Sequence, residues 1–66
     1  MKADRVEISR DEQKKKWLVR IKVGEEVIRR YCDEPKDVDE TSLRRSAIQT
    51  VTDEGYTVDP SDVVIS

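Results

Sequence analysis

Apolar and polar residues alternate with a period of two along most of the first half of the chain. The alternation covers residues 5–9 and is clearest over residues 17–23, where Trp17, Val19, Ile21 and Val23 recur at every second position with Arg20 and Lys22 between the last three. This spacing is typical of strands that bury one face and expose the other. We therefore predict two strands here, joined by a solvated connection of charged and amide residues (11–16), and a third strand that ends at Cys32.

The second and third strands are predicted to form a tight hairpin. Gly24 and Glu25 fit a two-residue loop, because glycine accepts the positive φ required at the first central position. The resulting register pairs Val23 with Glu26, Lys22 with Val27, Ile21 with Ile28, Arg20 with Arg29, Val19 with Arg30, Leu18 with Tyr31 and Trp17 with Cys32. A three-residue loop would exchange the faces and move Val27 and Tyr31 to the Trp17 side. We favour the two-residue loop because it pairs Ile21 with Ile28.

The pattern changes to helical spacing in the second half. An acidic segment, residues 33–40, precedes an apolar stripe that runs from Leu43 to Val51. Asp37 or Asp39 can cap the helix, and Gly55 is a natural stop. Residues 56–58 are predicted to be extended, residues 59–62 to form a turn, and residues 63–65 to form a last strand.

Together these elements predict a single α+β domain over residues 1–66, in the order β-β-β-α-β. An antiparallel three-stranded meander would be backed by one helix. The C-terminal strand would join a sheet edge, parallel to its neighbour, through a right-handed crossover. The predicted core consists of Val6, Ile8, Trp17, Val19, Ile21, Ile28, Leu43, Ala47, Ile48, Val51, Val58, Val63 and Ile65.

Composition restricts what such a domain can be. The chain has 66 residues, of which 35% are hydrophobic and 42% charged. One small core is all that this length supports, so we expect a monomer or a weak homodimer. Residues 1–32 hold ten cations and six acids, a net charge of +4, whereas residues 33–66 hold three and nine, a net charge of −6. The folded surface is therefore expected to be bipolar.

The candidate chemistry points away from an enzyme. The chain has no histidine, so the usual base for a serine or cysteine nucleophile is missing. Cys32 is expected to be a small buried hydrophobe, although Arg30 on the same strand face could instead stabilise a reactive thiolate. The acidic residues 33–40 lack the alternating pattern of a calcium loop, so helix capping and solvation explain them better. We predict no catalytic residues, no metal and no cofactor.

The cellular location follows from similarly simple observations. A lone cysteine cannot form an internal disulfide, and no apolar stretch is long enough for a signal peptide or a membrane span. We expect a cytoplasmic protein that does not interact with membranes.

The outer face of the predicted sheet is the candidate binding surface, with Lys14, Lys15 and Lys16 beside it. We expect Leu18, Val27 and Tyr31 to form an apolar group on this face, which favours a protein partner. The predicted partner-binding residues are Leu18, Arg20, Lys22, Arg29 and Tyr31 on the sheet, followed by Arg44 and Arg45 on the helix.

Nucleic-acid binding is the alternative function, because cations and an aromatic ring on a sheet can hold phosphates and stack on bases. The segments WLVRI (residues 17–21) and VIRRY (residues 27–31) resemble the amino-terminal arm-binding domains of phage-type integrases. This resemblance would imply a sheet that contacts DNA in the major groove. It covers the hairpin and the helix only, and the fourth strand departs from it, so it assigns no family. A third hypothesis is an acidic inhibitor that mimics nucleic acid with its helix-side carboxylates.

Overall fold

The computed structural model describes all 66 residues and has the predicted α+β architecture. Its elements are β1 (Arg5–Asp11), β2 (Lys16–Val23), β3 (Glu26–Cys32), α1 (Glu40–Asp53), a short 3₁₀ turn (Pro60–Asp62) and β4 (Val63–Ile65). The strands form one mixed sheet in the order β3-β2-β1-β4. The last strand lies at an edge beside β1 and runs parallel to it.

The β2–β3 hairpin has the register that the sequence predicts. Ile21 faces Ile28, and the pairing continues without a bulge from Val23–Glu26 at the turn to Trp17–Cys32 at the far end. Gly24 has a φ of +60°, while Glu25 keeps a negative φ, as expected for a turn that needs glycine at its first central position. The Gly24 backbone N–H donates to a carboxylate oxygen of Asp4 at 2.7 Å, which fastens the turn to the start of β1.

The first strand is longer than the alternating pattern indicated. It continues to Asp11, because Arg10 pairs with Trp17 and Asp11 pairs with Lys16 across the β1–β2 ladder. Polar side chains suit this end of the strand, where the guanidinium of Arg10 lies over the Trp17 ring at 5.5 Å from its centroid.

Helix α1 has well-formed ends. Asp39 is its N-cap and accepts from the Ser42 N–H at 3.0 Å. Hydrogen bonds from the side chain and the backbone of Ser42 lower the pKa of the Asp39 carboxyl. At the C-terminus Gly55, with φ +89°, donates to the Thr52 carbonyl, and Tyr56 donates to the Val51 carbonyl. This is a Schellman motif, and it explains why the helix stops where the sequence predicted.

The core lies between α1 and the inner face of the sheet. Its buried members are Ala3, Val6, Ile8, Trp17, Val19, Ile21, Leu43, Ala47, Val51 and Val63. Ala3 was not predicted; it is buried because its N–H donates to the Thr57 carbonyl, which draws the N-terminus against the segment after α1. Four predicted core residues, Ile28, Ile48, Val58 and Ile65, are only half-buried and pack around the periphery. No helix is long and apolar enough to cross a membrane.

Candidate functional site

One face of the sheet is covered by no other element, because α1 packs on the opposite face. We call this uncovered surface the outer face. Alternation along the four strands places on it Arg5, Glu7, Ser9, Asp11, Lys16, Leu18, Arg20, Lys22, Val27, Arg29, Tyr31 and Val64. All five sheet residues predicted to bind a partner therefore share one surface.

A row of charges crosses the middle of the outer face. Glu7, Arg20 and Arg29 face one another on β1, β2 and β3. A guanidinium nitrogen of Arg20 lies 3.5 Å from a Glu7 carboxylate oxygen, so β1 neutralises this arginine. Arg29 has no carboxylate within 4.0 Å, since Glu7 is two strands away. The outermost cation of the row is therefore free to pair with a ligand.

Tyr31 lies at the Lys16 end of the outer face and is held from two sides. Its hydroxyl donates to a carboxylate oxygen of Asp11 at 3.3 Å, which requires the side chain to reach from β3 across β2 towards β1. The Lys14 ammonium lies over its ring at 4.7 Å from the centroid, as a cation–π contact. Leu18, directly opposite Tyr31 on β2, is accordingly half-buried rather than exposed.

The loop between β1 and β2 positions the lysine over this ring. The other carboxylate oxygen of Asp11 accepts from the Gln13 and Lys14 N–H groups at 3.1 and 3.2 Å, which folds the loop back at the end of β1. Lys15 then adopts a φ of +54° to return the chain to β2. The sequence pattern indicated a solvated connection, but the contact between Lys14 and Tyr31 depends on this turn and could not be foreseen.

The exposed apolar residues of the outer face are concentrated on β3. Val27 is 44% exposed and Tyr31 is 41% exposed, and apart from Met1 these are the large hydrophobic residues with the most open surface. They are four residues apart on one strand, a separation of about 13 Å, with Arg29 between them. The expected apolar group is thus two separate residues flanking a cation. Val27 belongs to this arrangement, although it was not among the predicted binding residues.

The two helix arginines lie in the other layer of the fold and do not join the outer face. Arg44 is half-buried, pairs with Glu40 at 2.9 Å and donates to the Val63 carbonyl, so it fastens α1 to β4. Arg45 is exposed on α1. The structure therefore separates Arg44 and Arg45 from the five sheet residues with which they were predicted.

Cys32 is half-buried opposite Trp17 at the end of β3. Burial raises the pKa of its thiol, although a hydrogen bond with Thr50 opposes this, and the nearby Glu34 and Asp33 carboxylates raise the pKa further. Arg30, the cation that could have stabilised a thiolate, is paired with Glu54 at the end of α1. These surroundings favour the protonated thiol, which is a poor nucleophile.

The acidic segment of residues 33–40 is occupied by contacts within the chain. Asp33 pairs with Lys16 at 3.2 Å, Glu34 accepts from the Ser46 hydroxyl at 2.6 Å, and Asp39 caps α1. No three histidine, cysteine, aspartate or glutamate side chains of the chain converge on a point where they could hold a metal ion.

An open depression of about 630 Å³ lies at the hairpin end of the sheet, between the N-terminal residues, the β2–β3 turn and Tyr56. Its titratable side chains are Lys2, Asp4, Glu25, Glu26 and Tyr56. Comparison of the chain with known protein families, with curated proteins and with solved structures finds no match.

Proposed function

We propose that this chain is a small, non-enzymatic, cytoplasmic module that binds another protein through the β3 half of its outer face. The observation that carries the proposal is the combination of Arg29, a cation without a carboxylate partner, and the exposed Val27 and Tyr31 on either side of it. Lys22, opposite Val27, is a second cation of this surface without an ion pair. Exposed apolar residues beside unpaired charge are common where proteins meet.

The cytoplasmic assignment rests on the single thiol. Cys32 has no second cysteine with which to form a disulfide, and a half-buried protonated thiol suits a reducing compartment.

Two observations favour protein over nucleic acid as the partner. The ring of Tyr31 is covered on one side by Lys14 and its hydroxyl is bound to Asp11, so the ring is poorly placed to stack on a base. In addition Glu7 lies in the centre of the outer face, where it would repel a phosphate backbone.

The proposal is tested with two charge-reversal variants, Arg29→Glu on the outer face and Arg45→Glu on the exposed surface of α1. The two variants change the net charge equally, so a difference between them reports position rather than charge. Immobilised wild-type protein and both variants are incubated with lysate of the native cells. We expect Arg29→Glu to lose a bound protein that Arg45→Glu retains. Capture of the same proteins by all three chains would contradict the proposal.

A titration with mixed-sequence DNA and RNA oligonucleotides at low salt tests the alternative. We expect the amide NMR spectrum to stay unchanged. Shifts confined to residues 14–31 and reversed by salt would instead establish a phosphate-binding surface.

A further inference from the structure

The sheet has one long open edge. At the β4 side the edge is only three residues long, and the Val63 carbonyl there accepts a hydrogen bond from Arg44. At the other side β3 presents seven residues with no strand beyond it. Strand β3 contains no proline and no bulge, two of the devices that proteins use to prevent an edge from accepting another strand.

The hairpin register identifies which backbone groups of β3 point away from the sheet. Residues in an antiparallel pair alternate between those that exchange hydrogen bonds with the partner strand and those that do not. Glu26 closes the two-residue loop with Val23, so the bonded set on β3 is Glu26, Ile28, Arg30 and Cys32. The N–H and C=O groups of Val27, Arg29 and Tyr31 therefore point outward. Consistent with this, the Arg29 carbonyl accepts from the guanidinium of Arg30 at 2.7 Å instead of from β2. An added strand would displace this one contact, and the other outward groups of Val27, Arg29 and Tyr31 have no partner within the chain.

The same three residues place their side chains on the outer face. An added strand would bond to the backbone of Val27, Arg29 and Tyr31, and the side chains opposite them would lie beside these three. Arg29 is the unpaired cation, whereas its neighbours Arg20 and Arg30 are paired with Glu7 and Glu54. Charge complementarity therefore calls for an acidic residue opposite Arg29, and apolar residues opposite Val27 and Tyr31.

A second copy of the chain fits this edge poorly. The antiparallel arrangement that would pair Val27 with the Tyr31 of another copy has its two-fold axis at Arg29. It would place two Arg29 side chains opposite each other, and like charges in that position destabilise a strand pair. The β3 edge thus disfavours pairing with the β3 edge of a second copy, while it remains open to a strand that carries an acidic residue.

We propose that the β3 edge binds an extended segment of another protein as a fifth strand, with an acidic residue between two apolar residues on the outer face. This inference rests on the proposed function and specifies its partner. The backbone would supply affinity, and the alternation of side chains would supply selectivity.

The experiment uses a synthetic peptide as the probe. It is a heptapeptide with blocked ends, in which valine, glutamate and valine at positions two, four and six alternate with threonine. We expect shifts of the Val27, Arg29 and Tyr31 amides in NMR spectra of the full chain, with at least tenfold slower hydrogen exchange of these three. A control peptide with lysine in place of glutamate should bind about fivefold more weakly, as expected for one cross-strand charge pair.

A second control separates strand addition from docking of side chains. Methylation of the peptide nitrogens that would face β3 removes the backbone donors but keeps every side chain, and it should abolish binding. Equal binding of the methylated peptide would overturn strand addition while leaving the outer face as a protein-binding surface.

Four variants of the chain complete the test. Arg29→Glu should reverse the preference between the glutamate and lysine peptides, and Arg45→Glu should leave it unchanged. Val27→Pro removes an outward N–H without removing a β2–β3 hydrogen bond and should weaken binding, whereas Val27→Thr should retain it. The amide spectrum without peptide establishes that each variant is folded.

The remaining outcomes overturn the inference. If no peptide binds, the edge does not accept strands, and the capture experiment with Arg29→Glu still tests the proposed function independently. Concentration-dependent protection of the β3 amides without peptide would show that the edge is occupied by a second copy instead. Oligonucleotide binding that shifts these same amides would show that the partner is not a protein strand.

Discussion

Arg20 and Arg29 have the same chemistry and face each other across the β2–β3 pair, yet only one of them is free to act on a partner. The difference arises from their position in the sheet, because β1 brings Glu7 beside Arg20 and nothing lies beyond Arg29. Arg30 shows the same rule on the inner face, where Glu54 at the end of α1 neutralises it. Whether each arginine has an ion-pair partner is set by the element next to it rather than by its residue type.

The environment of Cys32 leads to a prediction about pH. Because burial raises the pKa of this thiol, the folded chain retains the proton to a higher pH than the unfolded chain, in which a thiol ionises near pH 8.5. Any contribution of the thiol to stability is therefore complete below about pH 8.5 and decreases as the pH rises above that value. We expect the difference in free energy of unfolding between wild type and Cys32→Ala to decrease from pH 7 to pH 9.5, measured with urea. A difference independent of pH would contradict this account of the thiol. Cys32→Ala retains every tyrosine and lysine, so their ionisation at high pH affects both proteins equally and cancels in the difference.

The hairpin shows how much a local signal can predict. Period-two alternation before Gly24 and Glu25 fixes the faces of β2, and only the two-residue loop pairs Ile21 with Ile28, so all seven β2–β3 pairs follow from the sequence. The caps of α1 are similarly local, because Asp39 and Gly55 act within a few residues of the helix ends.

Contacts between distant elements were not predictable in this way. The edge that β4 joins, the burial of Ala3 and the pairing of Arg30 with Glu54 each depend on how the chain returns after α1. The same reason explains the candidate site. Period two places Leu18, Arg20, Lys22, Arg29 and Tyr31 on one face, but the strand order decides which of them has a partner. The contact of Arg44 with the Val63 carbonyl was equally unpredictable, because this acceptor lies nineteen residues further along the chain.

The β2–β3 turn provides a test of the hairpin itself. A Cβ at Gly24 would meet no atom within 4 Å, but the φ of +60° is unfavourable for residues with a side chain. We expect Gly24→Ala to reduce the free energy of unfolding by about 1–2 kcal/mol through backbone strain alone. Urea unfolding measures this loss, and Glu25→Ala is the matched control, because Glu25 has a negative φ. Equal effects of the two substitutions would show that the turn does not require glycine at its first central position.

Core side chains become less buried from the centre of the sheet towards β3. The sequence pattern alone predicts equal burial for the paired residues Ile21 and Ile28. Ile21 lies on a central strand and is fully buried, whereas Ile28 lies on the edge strand and is half-buried. This gradient leaves the β3 edge available for a partner, but it concentrates the stability of the domain in β1, β2 and α1. A domain of this size has a free energy of unfolding of about 3–10 kcal/mol, so the loss of a single buried methylene is measurable.

We therefore expect Ile21→Val to reduce the free energy of unfolding by about 0.5–1.5 kcal/mol, because the deleted methylene leaves a cavity that α1 and the neighbouring strands cannot fill. Ile28→Val is the matched control, since it deletes the same group from the opposite residue of the same pair. Its cost should be smaller, because the site is open to water and solvent replaces the lost group. Urea denaturation gives both losses of free energy, and the slope of the free energy of unfolding against urea concentration should be the same in both variants as in wild type. Equal losses for the two variants would mean that β3 is packed as tightly as β2, which would contradict both the gradient and the open edge inferred from it.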